Sequence, residues 1–168
     1  LYDKSKIKNI EIIILGLEKA KKIYSIDFNA NNNYYPFINI AYIDMIICYL
    51  NNNSFTESRH KITVLKGSMQ FEKNDWWSFI SGIEFNILLG KYKEATKDLG
   101  NYLDELEKDM ISEFEIESTI RQLKIYFDFC KKEEKNELSE IINVYLPGIL
   151  NEIRVEKLQI EKVALLSN

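Results

Sequence analysis

Trp76-Trp77-Ser78-Phe79-Ile80-Ser81-Gly82-Ile83-Glu84-Phe85-Asn86-Ile87-Leu88-Leu89-Gly90-Lys91-Tyr92-Lys93-Glu94-Ala95, continued by Leu99 and Tyr102, is the stretch that decides the fold of this chain. Its first part is apolar and free of proline. It predicts a helix from Trp76 to Leu89 that opens on Asn74 or Asp75 as N-cap and ends at Gly90. A second helix is predicted from Tyr92 to Met110, with Ala95, Leu99, Tyr102, Leu103 and Leu106 on one face. The small Ala95 allows two antiparallel helices to approach closely. The unit is a helical hairpin closed by a glycine turn.

The same punctuation recurs on both sides. From Ser5 to Ile26, Ile7, Ile10, Ile13, Ile14, Leu17, Ala20, Ile23 and Tyr24 keep helical spacing, with a possible break at Gly16. Pro36 suits the first turn of a helix running to Leu50 that is apolar almost all round, as expected of a helix held between layers. Thr56 to Glu72 is read as helix although Ile62-Thr63-Val64 would tolerate a strand, because a lone strand there would find no partner. Ser112 or Glu113 opens a helix through Cys130, and a last helical part runs from Glu137 to Leu166, interrupted at Pro147-Gly148. The runs Asn31–Asn33 and Asn51–Asn53 carry no evident mechanism.

Composition agrees with an all-α class. In 168 residues, 46% are hydrophobic and 29% charged, which excludes a disordered tail, and only 6 Gly and 2 Pro leave too few turns for a sandwich or barrel. The formal charge of −4 gives no basic field for nucleic acid. No apolar run reaches the ~20 residues of a membrane span. Cys48 and Cys130 are far apart and lie in apolar surroundings, which fits buried thiols in a reducing cytoplasm. His60, the single histidine, stands in the polar run Ser58-Arg59-His60-Lys61 and reads as solvated, so no zinc set, catalytic triad or cofactor motif is expected. The chain opens on Leu1, as a processed chain, a domain of something larger or one lacking its first residues would.

Gly90-x-Tyr92-x-x-Ala95 resembles the middle of a tetratricopeptide repeat, and Gly16-Leu17-Glu18-Lys19-Ala20 is a shorter echo 75 residues earlier, about two repeats of that family's ~34-residue period with some insertion. About four hairpins stacked into a solenoid with a concave face are expected over residues 1–146, followed by a capping or linker helix over 147–168. An ordinary helical bundle of the same pairs is the alternative.

Three blocks carry a closer resemblance. Tyr34-Tyr35-Pro36-x-Ile38-Asn39-x-Ala41, Trp77-x6-Glu84-x5-Gly90-x-Tyr92-x2-Ala95 and Phe114-x3-Ser118-Thr119-x-Arg121 are similar, in order and spacing, to the TRAFs-binding domain of kinase kinase kinases and the related bacterial TPR-S repeats. Together they cover most of Tyr34 to Arg121. Phe37 stands where the family has glycine, and Ser78 to Gly82 where it has an Ala-Thr pair. The resemblance implies a noncatalytic repeat module. In bacteria such modules are often fused to TIR-like or other effector domains of conflict and immunity systems; in animals they take part in kinase scaffolds.

The candidate partner- or ligand-binding residues are Tyr34, Tyr35, Asn39, Asp44, Trp76, Trp77, Glu84 and Arg121. Consecutive tryptophans project about 100° apart, so one is expected in the core; for Trp76 the alternatives are a core position and an exposed anchor at an interaction surface. Tyr34 and Tyr35 either cover the helix start or stack on a ligand. Asn39, Asp44, Glu84 and Arg121 are polar residues in apolar helices, where a charge must be paired. They form either a network between repeats, with Glu84 paired to Arg121, or a polar floor for a ligand. The expected function is a cytoplasmic interaction or sensor module that scaffolds or gates an effector domain; the alternatives are a receptor for a nucleotide-derived signal and a small helical enzyme. Oligomerisation is expected, if anywhere, through the apolar residues after Pro147.

Overall fold

The structure, a computed structural model, describes residues 4–31, 34–67, 76–102 and 111–166. Among them every regular element is helical: α1 (Lys4–Asn31), α2 (Tyr34–Leu50), α3 (Phe55–Gly67), α4 (Trp76–Leu88), α5 (Tyr92–Gly100), α6 (Glu113–Phe129), a 3-10 turn (Lys132–Glu134), α7 (Lys135–Glu140), a π turn (Ile141–Tyr145) and α8 (Leu146–Leu166). The all-α class is therefore what the chain adopts, and the ambiguous Ile62-Thr63-Val64 lies within α3. The expected N-caps Asn74 and Asp75, and Leu103, Leu106 and Met110, lie outside the described residues.

α2 is the hub. Phe37, Ile38, Ala41, Tyr42, Met45 and Cys48 are all buried, and α2 packs against α1, α3, α4 and α6. Its nearly unbroken apolar surface follows from having neighbours on every side. α1 is the expected first helix and passes through Gly16 unbroken, 28 residues in all. Gly16 has open space around its α-carbon and needs no special conformation, so nothing there breaks the helix.

Two helix ends are closed in the same way. At the end of α4, Gly90 (φ +76°) donates its N–H to the Ile87 carbonyl at 2.9 Å, and Lys91 donates to the Asn86 carbonyl at 2.7 Å. This is the Schellman pairing that a left-handed residue makes possible. At the end of α2, Asn52 (φ 55°) does the same: its N–H goes to Tyr49 at 3.0 Å and that of Asn53 to Cys48 at 3.0 Å. The asparagine run that showed no mechanism in the sequence thus supplies the residue type, after glycine, that best tolerates the left-handed region. α6 opens on a capping box in which the Glu115 N–H donates to Ser112 Oγ at 3.3 Å and the Ser112 N–H to Glu115 Oε2 at 2.8 Å.

The expected interruption at Pro147-Gly148 is absent; α8 begins at Leu146 and continues to Leu166. The π turn immediately before it explains how. There the Leu146 N–H reaches back five residues to the Ile141 carbonyl, and the wider turn makes room for a ring that would clash in a regular helix. Ile149, Leu150 and Ile153 are buried, and Arg154 joins Glu113 (2.8 Å) and Glu117 (3.0 Å) of α6. The first half of α8 therefore packs back on α6. Leu158, expected in the same apolar face, is instead 64% exposed, and Ile160, Val163 and Leu165 of that set lie where the structure describes no side chains.

A polar clamp ties three distant segments together. Arg59 on α3 donates through Nε to the Leu88 carbonyl at 2.9 Å and through Nη2 to Glu134 Oε1 at 2.6 Å, while the Tyr92 hydroxyl donates to Glu134 Oε2 at 3.1 Å. Burial opposes the arginine's charge, but the contacts with Glu134 more than offset this and hold its pKa above the ordinary value. A β-carbon on Gly90 would lie 3.2 Å from Arg59 Nη2. Replacing Gly90 by alanine therefore carries two costs, ~1–2 kcal/mol for the left-handed backbone and a further cost for displacing a guanidinium held at two points. In denaturant titrations, Gly90→Ala and Arg59→Met should couple by ~1 kcal/mol, the second cost vanishing once Arg59 is gone. Strict additivity would show that the guanidinium does not constrain the turn.

Candidate functional site

The candidate residues do not gather into one site. Asn39 and Asp44 are both half-buried on α2, and the Lys21 ammonium of α1 donates to Asp44 Oδ1, joining the first two helices. Trp76 is fully buried, and its indole N–H points to Thr119 Oγ1 of α6 at 3.4 Å. The exposed-anchor reading of Trp76 is thus reversed, because the start of α4 faces α6. Trp77, about 100° further round, is half-buried and packs on the rim of the core. The side chains of Tyr34 and Tyr35 lie outside the described residues, though both positions fall in the first turn of α2.

Glu84 and Arg121 do not pair. α6 turns Ile116, Thr119, Leu123 and Tyr126 into the core, and Arg121 lies 140° to 200° from each of them on a helix of 100° per residue. It is consequently exposed, with its guanidinium carbon 5.9 Å from the centre of the Phe114 ring. Glu84 is only 4% exposed and accepts a hydrogen bond from the Tyr42 hydroxyl at 3.3 Å. The Tyr42 ring in turn meets Tyr126 edge-on at 5.4 Å. This places a carboxyl group at the junction of α2, α4 and α6.

Burial pushes the Glu84 pKa up to about 8, and the Tyr42 hydrogen bond opposes that shift only in part. Such a group is a neutral acid at pH 7. A buried acid of raised pKa is a general-acid candidate where it faces a cleft. Glu84 faces the core instead, so here it acts as a neutral hydrogen-bonding group.

Two clusters escaped the sequence reading. Arg59, taken as part of a solvated run, belongs with Phe55, Ile62 and Lys66 to the inward face of α3. The spacing of four, three and four residues signals that face, once Phe55 and Ile62 are seen to be buried. Lys66 donates to Asn86 Oδ1 at 2.7 Å, and Asn86 Nδ2 donates to Asp98 Oδ2 at 3.3 Å, so α3, α4 and α5 are joined by a chain of polar groups. Burial lowers the Lys66 pKa. His60 is exposed beside an open cleft of about 810 Å³ whose lining includes Asp44, Ser54, Thr56, Ser58 and Lys61. Both cysteines are free and buried, and burial raises the Cys130 thiol to about 11, which leaves it unreactive near neutral pH.

Among the described residues no group of three or more His, Cys, Asp or Glu side chains is placed to hold a metal ion, and no helix is long and apolar enough to cross a membrane. Comparison with protein-family models, with curated proteins and with solved structures found no match to this chain.

Glu84 gives the core a definite pH dependence. The folded protein keeps this proton up to about pH 8, whereas the unfolded chain releases it near 4.5. The stability associated with the neutral acid is therefore full below 4.5 and is lost as the pH rises toward 8. Glu84→Gln keeps a hydrogen-bonding partner for Tyr42 without a titrating proton. Relative to the parent, it should be near neutral at pH 5 and stabilising by ~2–4 kcal/mol at pH 9, at ~1.4 kcal/mol per pK unit. Chemical denaturation of both proteins across that range checks it. A pH-independent difference would mean that Glu84 is ionised in the fold.

Proposed function

We propose that the chain is a noncatalytic helical-repeat module of the divergent tetratricopeptide type, which binds a protein partner or restrains a fused effector domain within a larger cytoplasmic signalling or immunity protein. Several features support this reading. The Gly90 turn, the buried Tyr92 and the fully buried Ala95 of α5 together make a close-packed helical hairpin like the one the resemblance implies. Asp44, Trp76 and Glu84 are engaged with other helices of the same chain, which leaves little of the candidate set to perform chemistry.

The observation that carries the proposal is the outward face of α6. Phe114 and Ile125 are 65% and 59% exposed, and Arg121 lies between them along the same stripe, its guanidinium over the Phe114 ring. Aromatic and arginine side chains of this kind dominate the energetics of protein interfaces. Phe114 and Arg121 are also two of the residues on which the family resemblance rests.

The receptor alternative has one observation in its favour, the polar cleft beside His60 that Asp44 helps to line. The two readings separate experimentally. Partners would be identified by cross-linking in the source cell, and affinities measured with the purified partner. Phe114→Ala or Arg121→Ala should then weaken binding at least tenfold, about 1.4 kcal/mol, without moving the melting temperature. Binding unaltered in both variants would remove α6 as the partner surface. A stabilisation of several degrees by one nucleotide or metabolite, lost in Asp44→Asn, would favour the receptor instead.

A further inference from the structure

We draw no further inference here: the strongest candidate, the open cleft of about 810 Å³ between α2 and the start of α3, already belongs to the receptor alternative, and its charged side chains are taken up within the chain, Asp44 by Lys21 and Lys61 by Glu57, so that nothing in it says what ligand it would hold.

Discussion

The ion pair between Arg59 and Glu134 holds together parts of the chain that no apolar contact would register so closely. The two side chains are 23% and 14% exposed, and each makes a second hydrogen bond, to the Leu88 carbonyl and from the Tyr92 hydroxyl respectively. A half-buried pair is favourable only when its remaining donors and acceptors are satisfied, and here the satisfaction comes from α4 and α5. The arginine thus completes the C-terminus of α4, the end at which a cation is best placed against the helix dipole. Everything around it is arranged for access: Gly90 offers no side chain, and Phe55 presents its ring 5.6 Å from the guanidinium carbon. One side chain thus ties the C-terminus of α4 to the 3-10 turn after α6.

α2 plays the complementary part with apolar surface. It touches α4 and α6 at once, and the Tyr42–Tyr126 contact joins α2 to α6 directly. α2 thus serves as a helix shared by α1, α3, α4 and α6. That sharing accounts for the polar groups at the junction. Tyr42 and Glu84 satisfy each other where α2 and α4 cross, and Trp76 and Thr119 do the same where α4 meets α6. Each pair fixes the rotation of one helix against another, which leucine and isoleucine contacts alone specify loosely.

The helix starts and the glycine turn were legible in the sequence because they depend on local chemistry, whereas the helix expected to run from Tyr92 to Met110 ends at Gly100. Gly90, Ser112 with Glu115, and Pro36 act within a few residues of themselves, and spacing reveals them. Pro147 misled for the same reason, since a proline inside a helix is disruptive unless a neighbouring turn widens, and Ile141–Tyr145 gives no local sign of doing so. The polar residues were harder. Glu84 and Arg121 both sit among apolar neighbours, but only the angular position of Arg121 relative to Ile116, Thr119, Leu123 and Tyr126 says that it faces outward. Arg59 failed in the opposite sense. Flanked by Ser58, His60 and Lys61 it looks solvated, and only the burial of Phe55 and Ile62 on the same face reveals that it points inward. Pairing across 75 residues, as between Arg59 and Glu134, leaves no spacing signal at all.

Polarity in this protein is displaced from the usual arrangement in both directions. Arg59, Lys66 and Glu84 lie inside or partly inside, while Ile12, Leu15, Ile23 and Ile26 on α1 and Phe114 and Ile125 on α6 lie outside. The inward displacement is compensated within the chain, because each of the three buried polar groups has a named partner. The outward displacement has no such compensation among the described residues. Single exposed apolar residues are ordinary on any protein surface, but recurrence along one face of a helix is not, since random scatter would not align four residues over four turns. A helix that buries one apolar stripe against α2 and presents a second to solvent has more apolar surface than its place at the edge of this fold can cover. On α1 the excess lies along one side of the helix and is interrupted at its middle by Lys19.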